Sequence, residues 1–302
     1  MNLVNETLRE LTSRTSQLPL DVAQLRKSLS PAGYIMIEGV CDGLISFEKI
    51  TKKYFSNFLM PPSRFGKRSF EILETGDGYT SAVHATHNLF GHSEAHYSPG
   101  SSPDVCFFTS LSHSPGKGGE TFVIDASEFA SALPKYLFEQ FLEVGVSYRM
   151  LWSPVRWRAE LGVSSRVEAE ALLAEREDLS GRFDASDTLE LTYTTSVLNF
   201  DNENSQWRFI HGFLPHLPFI DHPRYGDREL AMTPSNEVSW GDGKAFSRSD
   251  INAVIDVHDA LKAGQPWVVG DLLILDNRRV LHGRNEQESS RPRTLLSRFG
   301  FW

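Results

Sequence analysis

Five of the ten histidines in this chain fall in one short stretch: His84, His87, His92, His96 and His113. Inside it, Gly91-His92-Ser93-Glu94 sets an imidazole and a carboxylate two positions apart. In a β-strand, residues i and i+2 leave the same face. His92 and Glu94 would then supply two ligands of a facial triad, the donor set of non-haem Fe(II) oxygenases, which leaves other positions on the metal open. His282 offers the third. It closes the segment Gly270–Arg284, in which an apolar strand enters a polar turn and a second short strand presents the histidine on one face with Val280. Each signal also has a plainer reading. A bare HxE can be an exposed polar pair, and a lone histidine can be a hydrogen-bonded core residue.

An anion site would complement such a metal. Arg293 follows His282 by eleven positions, within a late strand-like run, Arg291–Arg298. A guanidinium on a core-facing strand needs a counter-charge, because an unpaired buried cation is costly. A carboxylate fits it bidentately. Arg291 suits a surface position at the strand's start. Upstream, Lys117-Gly118-Gly119-Glu120-Thr121 combines glycines that permit positive φ with a hydroxyl at a strand start. Thr121 could share a carboxylate with Arg293, and the bland alternative is a Gly-Gly hairpin turn.

HSE at 92–94, GGET at 118–121, GDLLILDNRRVLHGR at 270–284 and RPRTLLSR at 291–298 together resemble the taurine dioxygenase-like (clavaminate synthase-like) family of Fe(II)/2-oxoglutarate-dependent oxygenases. The likeness spans residues 30–300. It implies a mainly β fold with flanking helices around a double-stranded β-helix (jelly roll) core. It implies His92, Glu94 and His282 as iron ligands, with Thr121 and Arg293 on the distal carboxylate of 2-oxoglutarate. Arg298 is a second candidate for that carboxylate, or for an anion of the substrate. Asn88 matches a position that touches substrate in the family. The cofactors implied are Fe(II), 2-oxoglutarate as cosubstrate and O2, with succinate and CO2 released as a C–H bond is hydroxylated. Where many members carry aspartate, this chain has Glu94. That form resembles the subgroup that hydroxylates free or carrier-bound amino acids, and it opposes halogenation, which needs the carboxylate's place on the metal. Desaturation, epoxidation or oxidative decarboxylation would use the same cofactors. A cupin-type isomerase or a non-catalytic metal-binding jelly roll are the competing classes. The first leaves Arg293 and GGET unexplained, and the second would be marked by a lost ligand. A zincin needs Glu directly after its first His on a helix, which His92–His96 lacks.

The elements that must position these groups are mostly strands. Helices are expected at 3–14, 21–29, 44–59, 134–143, 166–178 and 248–262. Strands are expected at 33–39, 80–97, 105–110, 121–124, 146–151, 188–200, 206–213, 266–275, 278–283 and 293–301. No repeat or linker divides the chain. The expectation is one oxygenase domain over 1–302, with N-terminal helices in about 1–30 and a helical insertion at about 153–187. The acidic run in 166–178 reads as a solvated helix face. Tyr97, His96, Asp201, Glu203, Trp207 and Arg208 are candidates for lining a substrate pocket, an amino acid needing an acid for its amine and an arginine for its carboxylate.

Bulk properties limit the partners. The 302 residues are 40% hydrophobic and 23% charged, which is ordinary for a globular protein. A net charge of −9 opposes a nucleic-acid partner. No basic head precedes an apolar run and no stretch reaches the ~18 apolar residues of a membrane span. Cys41 and Cys106 form no CxxC pair. A cytoplasmic enzyme acting on a small molecule, free or carrier-bound, is the expectation.

Overall fold

Alternation with a period of two decides where the strands of this chain point. The computed structural model describes residues 8–59, 70–75, 78–83, 86–100, 102–112, 118–217, 219–229, 236–287 and 293–302. In chain order the first elements are β1 (Arg14–Thr15), α1 (Val22–Leu29), β2 (Tyr34–Ile37), α2 (Leu44–Tyr54), β3 (Phe70–Thr75), β4 (Gly78–Val83), β5 (Leu89–His92), β6 (Val105–Ser110) and β7 (Thr121–Asp125). Then come α3 (Ala126–Ala132), α4 (Lys135–Val144), β8 (Val146–Trp152), α5 (Pro154–Leu161), α6 (Arg166–Glu175), β9 (Leu179–Phe183) and β10 (Leu189–Thr195). The hairpins β11 (Leu198–Asp201)–β12 (Gln206–Phe209) and β13 (Phe219–His222)–β14 (Gly226–Glu229) follow, with β15 (Asn236–Trp240) and α7 (Arg248–Leu261). The chain ends with β16 (Ala263–Gln265), β17 (Leu272–Asp276), β18 (Val280–Arg284) and β19 (Leu295–Gly300).

These elements divide into two compact units. The first holds residues up to Glu94, Pro103–Asp125 and His258–Trp302. It contains a seven-stranded sheet in the order β1-β2-β17-β6-β19-β4-β3 and a four-stranded sheet in the order β16-β7-β18-β5. The central strands of the larger sheet are buried on both faces, and their parity sorts the side chains cleanly. Ile35, Ile37, Phe107, Leu272, Ile274 and Leu296 pack under α1 and α2 with Leu25, Leu29, Phe47 and Tyr54. The alternate residues Met36, Cys106, Phe108, Leu273, Leu275 and Leu295 meet Val123, Val280 and Trp267 from the smaller sheet's side. The unit is therefore layered as helices, large sheet, small sheet. Each fully buried side chain of the Leu, Ile or Phe type contributes about 1.5–3 kcal/mol.

The second unit holds Ala95–Ser102 and Ala126–Val257. Its sheet runs β15-β8-β10-β9. Within 153–187 lie α5, α6 and the strand β9, and local chemistry sets the helix ends. Ser153 and Ser165 cap the helices by accepting from the backbone N–H groups of Arg156 and Glu168, Pro154 opens α5, and Gly162 closes it at φ +66°.

One expectation fails. Residues 3–14 were expected as a helix, yet among the described residues Arg9 bridges Ala263 and Arg14–Thr15 form β1, pairing in parallel with Met36–Ile37. The edge of a sheet offers this segment tertiary hydrogen bonds that outweigh a short helix's weak intrinsic preference. Residues 1–7 lie outside the described residues. Cys41 and Cys106 are both buried and both unpaired thiols. No helix among the described residues is long and apolar enough to cross a membrane.

Gly283, between His282 and Arg284, has no room for a side chain. A Cβ there would overlap the Phe122 ring and the Leu89 carbonyl oxygen. Gly283→Ala is expected to lower stability by about 1–3 kcal/mol, as overpacking does, and urea unfolding of the two proteins measures it.

Candidate functional site

The register of the small sheet sets His282 of β18 opposite both His92 of β5 and Val123 of β7. The two imidazoles lie side by side, with ring centroids 4.5 Å apart. Glu94 Oε2 stands 3.7 Å from His92 Nε2 and 3.8 Å from His282 Nε2. Two ligand atoms can share one ion when they are closer than twice a bond of about 2.1 Å, a condition Glu94 meets with each histidine, and the three side chains together could hold a single divalent cation. They form the one such group of metal-binding side chains among the described residues.

Glu94 does not reach this point by strand alternation. β5 ends at His92, and Glu94 sits in a turn followed by Ala95 at φ +56°. The turn is held by Asn277, which lies between β17 and β18. Its Oδ1 accepts from the Glu94 N–H at 2.8 Å and its Nδ2 donates to the Glu94 carbonyl at 3.1 Å. Nδ2 also donates to the Pro103 carbonyl at 2.9 Å, while Ser93 Oγ donates to the Asn277 carbonyl at 2.9 Å. Asn277 is thus a positioning residue that the sequence reading passed over.

Each histidine is oriented differently. His92 Nδ1 donates to the Phe90 carbonyl at 3.0 Å, which leaves Nε2 with its lone pair. His282 is held by packing, its ring 5.0 Å from that of Phe108. Burial, with His92 beside it, pushes the His282 pKa down to about 3 against the opposing pull of Glu94. His282 is therefore a neutral, ligand-ready imidazole at ordinary pH. β5 is fixed from behind by His258, whose Nε2 accepts from the Gly91 N–H at 2.8 Å and whose Nδ1 donates to Asp259 at 2.9 Å. A Cβ on Gly91 would stand 3.0 Å from that Nε2. Burial by itself would raise the Asp259 carboxyl, but His258 and Lys262 outweigh it and hold it low. Cys106 is buried on the same strand as Phe108, and burial raises its thiol pKa well above the usual range, with Glu94 and Asp276 adding to the effect.

Further along the same face lie Thr121 and Arg293. Thr121 is buried, and its Oγ1 accepts from Trp267 Nε1 at 3.0 Å and from Arg293 Nη2 at 3.3 Å. Arg293 is 2% exposed, and its Nε and Nη1 have no hydrogen-bond partner. Burial, then the like charge of Arg284, drives its pKa down to about 9, with Glu120 opposing. The group is charged at neutral pH and short of an anion. Gly118 and Gly119 take φ of +85° and +80°, but Gly118 bridges Gln287 instead of closing a simple hairpin.

Arg298 requires correction as a candidate for either anion. Parity puts it with Leu296 on the helix-covered face, where its Nη1 donates to Thr51 Oγ1 at 2.8 Å and its guanidinium covers Phe58. Asn88, in the first unit, buries an Nδ2 with no hydrogen-bond partner. The remaining substrate candidates belong to the second unit. Arg208 is ion-paired with Asp201 across the β11–β12 hairpin, and Asn204 donates to the same carboxylate at 2.7 Å. Each is therefore the other's partner. Glu203 is exposed in the hairpin turn and Trp207 packs edge-on against Phe200. Tyr97 packs edge-on against His216, and His96 Nδ1 lies 3.4 Å from the Tyr148 hydroxyl. His84, His113, Lys117 and Arg291 lie outside the described residues.

Asn277 carries the polar signature of a turn residue, and Phe108 and Trp267 read as ordinary core. Only the pairing of strands far apart in sequence shows what they hold.

The family model described as taurine catabolism dioxygenase TauD, TfdA family matches residues 10–299. A putative alpha-ketoglutarate-dependent taurine dioxygenase from Burkholderia xenovorans superposes with a TM-score of 0.54 at 11% identity, covering 97% of this chain and 92% of that one. A putative alpha-ketoglutarate-dependent 2,4-D dioxygenase from the same organism gives 0.51 at 15% identity, with 97% of each chain covered. PvcB, an Fe, alpha-ketoglutarate-dependent oxygenase from an isonitrile synthetic pathway, gives 0.50 at 12% identity over 95% of this chain and 84% of its own. No curated protein matches the chain by sequence.

The Asn277 clamp makes a testable claim. Asn277→Ala is expected to raise the Mn(II) dissociation constant about 10- to 100-fold, as loss of an outer-shell partner does. Calorimetric titration measures this, and an unchanged affinity would refute the role.

Proposed function

Since the chain belongs to the taurine catabolism dioxygenase TauD, TfdA family, we propose that its triad, His92, Glu94 and His282, holds the ferrous ion while Arg293 and Thr121 hold the distal carboxylate of 2-oxoglutarate. The protein is an Fe(II)/2-oxoglutarate-dependent dioxygenase, with Fe(II), 2-oxoglutarate and O2 as its cofactors. The observation that carries the assignment of residues is one face of the small sheet with two unlike needs beside it. At one end three ligand atoms converge on a common point, and at the other a buried cation has two N–H groups without partners. A 2-oxo diacid answers both. We read the two sheets of the first unit as the double-stranded β-helix core of a single oxygenase domain.

When bound, the iron and the 2-oxo acid supply the oxidising chemistry, and succinate and CO2 are released. The protein's own groups bind and orient. His92 and His282 would each offer an imidazole nitrogen, and Glu94 would bring the one anionic ligand. The side chains of the large sheet, Phe108 foremost, keep water from the histidine face. No side chain need act as acid or base.

The substrate we propose is an amino acid or an amino-acid-derived small molecule, free or carrier-bound, hydroxylated at an unactivated carbon in specialised metabolism within the cytoplasm. Glu94 in the HxE form supports this reading, as does the likeness to PvcB, which belongs to a synthetic pathway. Asn88, with a buried donor lacking a partner, is the best-supported substrate contact. Arg208 is a weaker one, because Asp201 neutralises it. Desaturation, epoxidation or decarboxylation would need the same residues.

Anaerobic addition of Fe(II) and 2-oxoglutarate should give a weak visible charge-transfer band. The band should vanish in His92→Ala and weaken in Arg293→Ala. A band of full intensity in His92→Ala would remove that residue from the metal. Succinate release stimulated by one amino acid or its carrier-bound form, among a panel, identifies the substrate. A panel with no stimulation rejects the amino-acid assignment.

A further inference from the structure

The cosubstrate end of the site contains two arginines, and the reading above uses one. Arg284 is the last residue of β18 and is 6% exposed. It stands two residues beyond His282, so both side chains leave the same face of the strand, about 7 Å apart along it. That is close to the span of an extended five-carbon diacid. In the register, Arg284 lies directly opposite Thr121, and Thr121 Oγ1 is the atom that meets Arg293. Opposed residues of an antiparallel pair share a face and a close approach. The Thr121 hydroxyl therefore marks a place that both guanidiniums flank.

Arg284 is anchored but not neutralised. Its Nε donates to the His87 carbonyl at 3.0 Å, and its terminal nitrogens make no hydrogen bond or ion pair among the described residues. Arg293 feels it as a like charge. Two buried cations side by side repel each other in a medium that screens poorly. Such a pair persists when something anionic joins it, and a carboxylate, with two oxygens and about four lone-pair sites, can accept from both.

We propose that Arg284 is a second cosubstrate-binding cation, which closes on the distal carboxylate of 2-oxoglutarate from the side opposite Arg293, with Thr121 between them. The proposal rests on the assignment of Arg293 and Thr121 to that carboxylate. It makes the site a two-arginine clamp selective for 2-oxo acids that end in a second carboxylate. The anchored Nε fixes the plane of the fork, so little side-chain freedom is lost when the ligand arrives.

The test is calorimetric binding to the Mn(II)-loaded protein, with three readouts: Mn(II) alone, 2-oxoglutarate, and 2-oxopentanoate, which has a methyl group in place of the distal carboxylate. Arg284→Gln should raise the 2-oxoglutarate Kd about 10- to 100-fold, the loss expected for one charged hydrogen-bonding partner. Its Mn(II) and 2-oxopentanoate affinities should stay within twofold of wild type. Arg284→Lys keeps the charge and should recover part of the loss. If the Gln variant does not fold, a threefold or greater loss in Arg284→Lys with unchanged Mn(II) binding carries the same conclusion. A 2-oxoglutarate Kd within twofold of wild type, or equal losses for the two oxo acids, overturns the proposal. If Arg293→Gln weakens 2-oxoglutarate and Arg284→Gln does not, Arg284 alone is misassigned. If neither variant changes it, the anion site itself is misassigned and the clamp with it.

Discussion

The carboxamide of Asn277 is buried between segments 183 residues apart in the chain, and it satisfies both backbone groups of Glu94 at once. Amides are strict about partners. Each buried donor or acceptor left unpaired costs about 1–3 kcal/mol, so this exchange of bonds fixes where the turn after β5 stands. The proposed metal centre inherits that position. The two histidines are placed by neighbouring strands, but the carboxylate comes from irregular backbone with a positive φ at Ala95. Without the amide, nothing regular would dictate its distance from the imidazoles.

Behind this first arrangement lies a second, on the opposite side of the small sheet. Asp259 and Lys262 form a buried ion pair, and His258 joins it with one imidazole nitrogen donating to Asp259 and the other spent on the backbone of Gly91. Ion clusters of this kind add little net stability against their desolvation. Their use is geometric: β5 can lie against the imidazole only because Gly91 has no side chain, and Gly283 meets the same demand on β18. The strands that carry His92 and His282 are thus each pinned at a glycine adjacent to the histidine.

Much of this is legible in the amino-acid sequence. Period-two patterning places most of the strands, and α6 is marked by its run of charges. His92, His282, Thr121 and Arg293 stood out by residue type. What stayed hidden depends on contacts between distant segments. HxE suggested two ligands on one strand face, yet the strand stops at His92 and the turn takes over, because Asn277 competes for the backbone of Glu94. Arg298 looked equivalent to Arg293 in a run of arginines. A difference of five positions reverses its face, and only the pairing with β6 shows which parity is interior. Arg284 went unweighed because a polar residue after a ligand histidine reads as a strand terminus. The N-terminal segment favours helix locally and is claimed by a sheet edge.

Cys106 lies on the strand that carries Phe108, with its sulfur enclosed and Glu94 in its electrostatic neighbourhood. Sulfur reacts with oxidants and binds soft metals as the thiolate. By making deprotonation unfavourable, the surroundings keep a reducing atom chemically silent inside a protein whose work is to activate dioxygen. Burial first, and then the negative charge of Glu94 and Asp276, keep this sulfur in the protonated form, which is the poorer nucleophile and the poorer metal ligand.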